Sequence, residues 1–158
     1  MPAQEKSQLL KKAVPLIDDF VSALKMNAVL VMFDGGYISK LYLCGEKISP
    51  GYIYRSGVEV MALAASGIDQ KEAFDILNRK YPGISGTERL LLERELTQAE
   101  KSGALLRVKS MYECSFALPF YFNDKLYTLA VYGVLPETST QERFCFDCSL
   151  LVSKIVSA

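Results

Sequence analysis

The sequence predicts an α+β domain, an antiparallel sheet flanked by helices, and three observations carry that expectation. Met111 to Val134 holds two apolar, aromatic-rich runs separated by Asn123-Asp124-Lys125. Asn and Asp tolerate the positive φ of a tight turn, and the flanking residues are strand formers, so the stretch reads as a hairpin. Asn27 to Cys44 repeats the arrangement around Asp34-Gly35-Gly36. Amphipathic helical stretches open and close the chain, and a block of helix starts separates the two hairpins. The apolar runs of the second hairpin are too continuous for strands wetted on one face, which makes it central to the sheet and partly covered by helices. Its inward residues, among them Cys114, Ser115, Ala130 and Tyr132, line either a core or a ligand cavity.

In chain order, Leu10, Val14, Ile17, Val21 and Leu24 form one apolar stripe at helical spacing. Pro15 interrupts it, so the main helix starts there or kinks there. Asn27 to Phe33 is a buried strand by its β-branched content, and Tyr37 to Cys44 is its partner. Gly45 to Gly51 reads as loop, and Tyr52 to Arg55 as a short extended piece. Ser56-Gly-Val-Glu59, Asp69-Gln-Lys-Glu72 and Ser85-Gly-Thr-Glu88 each place an oxygen-bearing cap three residues ahead of a Glu, which predicts three helices. The first, through Met61 and Leu63, stops at Ser66-Gly67. The second, through Phe74, Ile76 and Leu77, stops before Pro82-Gly83. The third, carrying Leu90, Leu91, Glu93, Leu96 and Ala99, stops at Gly103. Ala104 to Lys109 is a short strand. Pro136 to Thr140 lead into a last helix with Phe144, Cys148, Leu151, Val152 and Ile155 on its apolar side. The first and last helices are expected on one sheet face and the three capped helices near the other.

Length and composition narrow the function. At 158 residues, 50% of them hydrophobic, residues 1–158 fit one domain with a full core. Lys plus Arg and Asp plus Glu each number 18, so no basic face points to nucleic acid. No apolar run approaches the ~18 residues of a membrane span, and the start lacks the apolar block of a signal peptide; a cytoplasmic protein with reduced thiols is expected. Cys145-x-x-Cys148 lacks a second ligand pair, and the chain contains no histidine. Zinc is therefore not expected, nor any other metal or cofactor, and Ser-His and Cys-His catalysis are removed. A binding role without catalytic residues gains by subtraction.

The element order is that of a GAF-like or PAS-like sensory domain. Within that class the chain resembles the C-terminal effector-binding domain of isocitrate-lyase-regulator (IclR) family transcription factors, over nearly its whole length. Four segments carry the resemblance: Ala13-Val-Pro-Leu-Ile-Asp-Asp-Phe with Asn27-Ala-Val-Leu-Val-Met-Phe-Asp-Gly-Gly; Ser56-Gly57 opening a helix through Leu63-Ala64; Leu92-Glu-Arg-Glu-Leu-Thr-Gln-Ala-Glu-Lys-Ser-Gly; and Phe116-Ala-Leu-Pro to Ala130-Val-Tyr-Gly. The family's winged helix-turn-helix would precede Leu9 and has no counterpart here. The resemblance thus implies either an excised sensor domain or a stand-alone ligand binder, with no nucleic-acid contact by this chain alone. The pocket also departs from the family pattern: Tyr54 stands for the usual His, Arg107 lies where an acid is usual, and Ala130 and the bulky Tyr132 stand for small final-strand residues.

The resemblance implies a small organic acid as effector and a homodimer or homotetramer, with Tyr37, Tyr42 and Tyr121 as contact residues. Helix N-terminal amides carry partial positive charge and can hold a carboxylate, which points to Gly57 and Val58, and the resemblance implies Arg107, Ser115, Ala130 and Tyr132 as the remaining ligand-binding residues. Ser56 is otherwise only an N-cap, and Arg107 an ordinary surface residue if it faces outward. Of the adjacent Cys114 and Ser115, one alone can face the cavity, and Ser115 fits the family's polar position. Two rivals stay open. One is a GAF-fold cysteine-dependent reductase or redox sensor pairing Cys44 with Cys114, although that family's cysteine spacing is absent. The other is an interaction module with a filled core, using Tyr121, Phe122 and Tyr127 at a subunit interface.

Overall fold

A computed structural model describes residues 2–45, 57–110 and 112–157. The elements run α1 (Pro2–Leu24), β1 (Asn27–Asp34), β2 (Tyr37–Cys44), α2 (Val58–Ser66), α3 (Gln70–Lys80), α4 (Gly86–Ser102), β3 (Leu105–Val108), β4 (Glu113–Phe122), β5 (Lys125–Val134) and α5 (Gln141–Val156). The five strands form one sheet in the order β2-β1-β5-β4-β3, every pairing antiparallel. The second hairpin supplies the middle strand β5 and its neighbour β4. Asn123 and Asp124 take positive φ values of 50° and 65°, the backbone that a two-residue hairpin turn demands.

Alternation along the strands divides the core in two. Ala28, Leu30 and Met32 of β1, Cys114, Phe116 and Phe120 of β4, and Tyr127, Leu129 and Val131 of β5 turn to the lower face, where α1 and α5 cover them. Val29 and Val31, Ala117, and Ala130 and Tyr132 turn to the upper face, beneath α2, α3 and α4. The central strands are therefore apolar on both sides, which is why their hydrophobic runs are continuous. Among the described residues, no helix is long and apolar enough to cross a membrane.

Several local expectations need correcting. Of the two readings of Pro15, a helix start is excluded, because it sits inside a 23-residue helix. Its side chain is exposed, so the Lys11 carbonyl left without an amide donor faces the water side of the helix. The fully buried stripe of α1 is Leu9, Ala13, Ile17 and Val21, with Leu10 and Leu24 at its half-buried margin. Small Ala13 lets the helix lie close to the sheet. In α4 the buried positions are Leu92, Leu96 and Ala99, while Leu90 and Leu91 are exposed. The Asp69 and Ser85 caps form as expected, each accepting from the amide three residues on, and Ser85 with Glu88 closes a full capping box.

The third cap does not take that form. Helix α2 begins at Val58 with Gly57 as N-cap, at φ +79°, and no side-chain cap bond. Glu59 is instead buried in the upper core, accepting a hydrogen bond from the Tyr81 hydroxyl and pairing with Lys80 Nζ at 3.1 Å. Ser56, the expected loop at 46–51 and the extended piece at 52–55 lie outside the described residues.

Candidate ligand-binding site

Sheet register brings the expected residues together. Arg107 of β3 lies opposite Ser115 of β4, Ser115 opposite Tyr132 of β5, and Tyr132 opposite Asn27 of β1. Directly paired residues share a face, so these four make a polar row across the upper side of the sheet. The next row is apolar: Leu105, Ala117, Ala130, Val29 and Leu43. Cys114, one residue from Ser115, faces the lower core instead.

The N-terminus of α2 sits over the β3 end of this row. A Cβ built on Gly57 would lie 3.0 Å from Leu105 Cδ2 and 3.4 Å from Arg107 Nε. The positive φ and this close approach together require glycine there. The carbonyl of Gly57 already accepts the first helical bond, from the Met61 amide at 3.0 Å. Amides in the first turn of a helix have no acceptor within it and point outward along the axis. Gly57 therefore lies against Leu105 and Arg107, with Val58 next to it at the helix start, and Ser115, Tyr132 and Ala130 lie on the same face of the sheet. Arg107, Ser115 and Tyr132 thus share one row of the upper face, Ala130 lies in the next row, and Gly57 packs over the β3 end.

Arg107 faces inward, but it is already engaged. Its Nε and Nη2 donate to Glu95 Oε2 and Oε1, each at 2.7 Å, a fork-to-fork ion pair between β3 and α4. Glu95 is a site residue that the sequence reading missed. The signal was present: position 95 falls three after Leu92 and four before Ala99, beside the buried stripe of α4 rather than on its wet face. Asn27 was missed too; its Nδ2 donates to the Tyr132 carbonyl at 3.4 Å.

Among the described residues, two hydroxyls on the upper face, Ser115 Oγ and Thr128 Oγ1, are nine-tenths or more buried with no hydrogen-bond partner. Such a group costs about 1–3 kcal/mol of desolvation. Thr128 sits between Pro119 and Val31 in an apolar row, whereas Ser115 lies in the polar row beside Arg107. Thr128→Val removes one orphan at nearly constant shape and should raise the unfolding free energy by about 1 kcal/mol. Urea denaturation checks this, and a loss of stability would mean that the hydroxyl has a partner after all. Two surface grooves lie elsewhere. One of about 700 Å³ runs between α3 and α4 past Gln70, Arg94 and Thr97, and one of about 440 Å³ lies near Ala64, Gly103 and Tyr121. Neither is lined by any of the six residues.

Cysteine chemistry finds little support. Strands β2 and β4, which carry Cys44 and Cys114, are separated by β1 and β5, so the two thiols do not neighbour. Burial pushes the Cys114 thiol up to about 11, with the nearby Cys145 adding to the shift, and burial likewise raises Cys44, Cys145 and Cys148. Thiols so shifted are protonated and poorly nucleophilic at neutral pH. Cys44 also donates to Asp18 Oδ1 at 3.2 Å, alongside the Tyr42 hydroxyl. Tyr42 is thereby tied to α1, while Tyr37 and Tyr121 are exposed. Tyr127 cannot serve an interface: it is fully buried and stacks on Phe120 at 5.7 Å between ring centres. Among the described residues, no three acidic or cysteine side chains cluster closely enough to hold a metal ion.

Comparison with known proteins adds the fold relationship. No protein-family model matches the sequence, and no curated protein matches it. Solved structures do. The C-terminal domain of the Escherichia coli transcriptional regulator KdgR superposes with a TM-score of 0.61 at 18% identity, over 94% of this chain and 96% of that one. A domain of a putative IclR-family regulator matches at a TM-score of 0.59 and 13% identity, over 92% and 93%. The chain has the fold of the IclR C-terminal domain. An IclR homolog from Microbacterium hydrocarbonoxydans complexed with 4-hydroxybenzoate matches at 0.65 and 17% identity, over 96% of this chain and 68% of that one. An IclR-family regulator from Brucella abortus matches at 0.64 and 20% identity, over 93% and 62%. The chain thus spans about two thirds of these longer IclR proteins. At such identities the likeness speaks for the IclR fold alone.

Proposed function

We propose that this chain is the effector-binding domain of an IclR-type transcriptional regulator and binds a small organic acid without transforming it. The observation that carries the reading is the polar row of Arg107, Ser115 and Tyr132 lying beneath the glycine-capped start of α2. A cation, a helix N-terminus and a buried hydroxyl on one face of the sheet suit a carboxylate with one further polar group. The carboxylate is received by Arg107 and the backbone at Gly57 and Val58, and the rest of the ligand touches Ser115, Ala130 and Tyr132. In the structure of the Microbacterium homolog the bound molecule, 4-hydroxybenzoate, is itself such an acid. In this reading the domain works in the cytoplasm as a homodimer or homotetramer, uses no cofactor, and does not itself touch nucleic acid or membrane. Exposed Tyr37 and Tyr121 supply apolar contact between copies. Light scattering that finds only monomer at high concentration would remove the oligomer from the proposal.

The test is titration calorimetry with 4-hydroxybenzoate, benzoate and pyruvate, preceded by a thermal-shift screen over small organic acids and their amides. Saturable binding by an acid but not by its amide is expected. Ser115→Ala should weaken that binding roughly three- to tenfold without loss of fold stability, because it removes a hydrogen bond to ligand and an orphan from the empty protein. If no acid of the panel binds either the parent or any variant of the site, the reading fails. Gly57→Val is a poor probe of the same site, since the +79° backbone and the Leu105 contact would strain the helix start whatever the ligand does.

A further inference from the structure

Resting on that reading, we infer that Glu95 is a built-in competitor for the effector: its carboxylate occupies the Arg107 guanidinium in the empty domain, and an acid binds by displacing it into water. The geometry is the first support. Both Glu95 oxygens accept from the fork of Arg107, at 2.7 Å each, which is the arrangement an organic carboxylate would itself adopt. Glu95 is in this sense a tethered copy of the ligand's acid group.

Release of Glu95 is feasible on three counts. Its side chain is 24% exposed, so it reaches water without crossing the core. Arg107 provides its only polar contacts among the described residues, so no second partner holds it back. Helix α4 is anchored independently by buried Leu92, Leu96 and Ala99, and need not unfold when the pair opens. Arg107, by contrast, lies against the Gly57 backbone on a strand and stays in place to receive the incoming group. The pair is also the ion pair that ties α4 to β3, so displacing Glu95 removes that tie at the moment of binding. A ligand without a carboxylate has nothing to exchange for Glu95 and leaves α4 bound to β3, which makes the competitor a filter for acids as well.

A competitor that closes the site in about nine molecules of ten lowers apparent affinity roughly tenfold. The experiment is calorimetry of the whole chain with 4-hydroxybenzoate, benzoate and pyruvate for the parent, Glu95→Gln, Glu95→Ala and Glu93→Gln. Glu93 lies two residues away and pairs only loosely with Arg89, at 3.7 Å, so its neutralisation controls for net charge. Roughly tenfold tighter binding by both Glu95 variants, with Glu93→Gln like the parent, is the expected result. Binding by the Glu95 variants alone, with none by the parent, would be the same result in stronger form. Equal affinity of parent and Glu95 variants overturns the competitor while leaving the acid site standing. An equal gain in Glu93→Gln overturns it as well, by reducing the effect to overall charge. Absence of binding in every variant overturns the acid site and the competitor with it.

Discussion

Phe144→Ala is expected to lower the unfolding free energy by about 3–5 kcal/mol, the largest loss of any single truncation considered for this chain. Phe144 is 1% exposed and sits in the lower core among Leu9, Ile17, Tyr127 and Ile155, where α1 and α5 close over the sheet. Truncation removes the ring's transfer free energy and leaves a cavity that two helices and a sheet cannot collapse to fill. A domain of this size has about 5–15 kcal/mol of stability in all, so the variant should unfold at markedly lower urea or temperature. Phe146, two residues on, supplies the control. It is half exposed, with the Arg143 guanidinium 5.9 Å from its ring centre, so Phe146→Ala should cost less than about 1 kcal/mol. Similar losses for the two variants would mean that the lower core is not packed as described. The proposed acid site lies on the opposite face of the sheet, so Phe144→Ala should weaken binding only through the population of folded protein.

Where local chemistry settles a conformation, the residues announced it. Asn123-Asp124 specified the hairpin turn, Ser85 with Glu88 the capping box, and the continuous runs of β1 and β5 a sheet buried on both faces. Strand alternation alone put Ser115 and Cys114 on opposite faces, and with that choice most of the candidate site was legible. What escaped depends on partners distant in sequence. Glu95 stands among Glu93, Arg94 and Arg89, a charge pattern that reads as a wet helix face; only the packing of α4 against β3 turns it toward Arg107. Leu90 and Leu91 look like core by composition, yet the phase of the α4 stripe is set by Leu92, Leu96 and Ala99. Pro15 left a helix start or a kink open because local rules count the lost hydrogen bond; the burial of Ala13 and Ile17 on the opposite side is what carries the helix through it. Glu59 completes a capping-box pattern in the sequence, but its carboxylate is claimed by Tyr81 and Lys80 from α3 and the residue that follows it.

Arg107→Ala tests the acid site most directly, and Glu95 changes what it should show. A charge-assisted contact to a buried carboxylate contributes about 1.5–3 kcal/mol, equivalent to roughly ten- to a hundredfold in affinity. In the parent protein that gain is partly offset, because Arg107 must first surrender Glu95. Removing Arg107 there abolishes the ligand contact and the competing contact together, and the net loss should lie near the lower figure, about tenfold. In a Glu95→Gln background the competing carboxylate is gone, so the same substitution should cost nearer a hundredfold. The two residues are thus coupled, and the double-mutant cycle reads that coupling as about 1.4 kcal/mol, the equivalent of tenfold. Stability should change little in either background: the pair is about one-fifth to one-quarter exposed, solvent screening limits its worth to about 1 kcal/mol, and an orphaned Glu95 can hydrate. Arg107→Lys should recover only part of the affinity, since an ammonium cannot reproduce the planar fork. Binding by Arg107→Ala as tight as the parent's, in both backgrounds, would place the carboxylate somewhere other than between β3 and the start of α2.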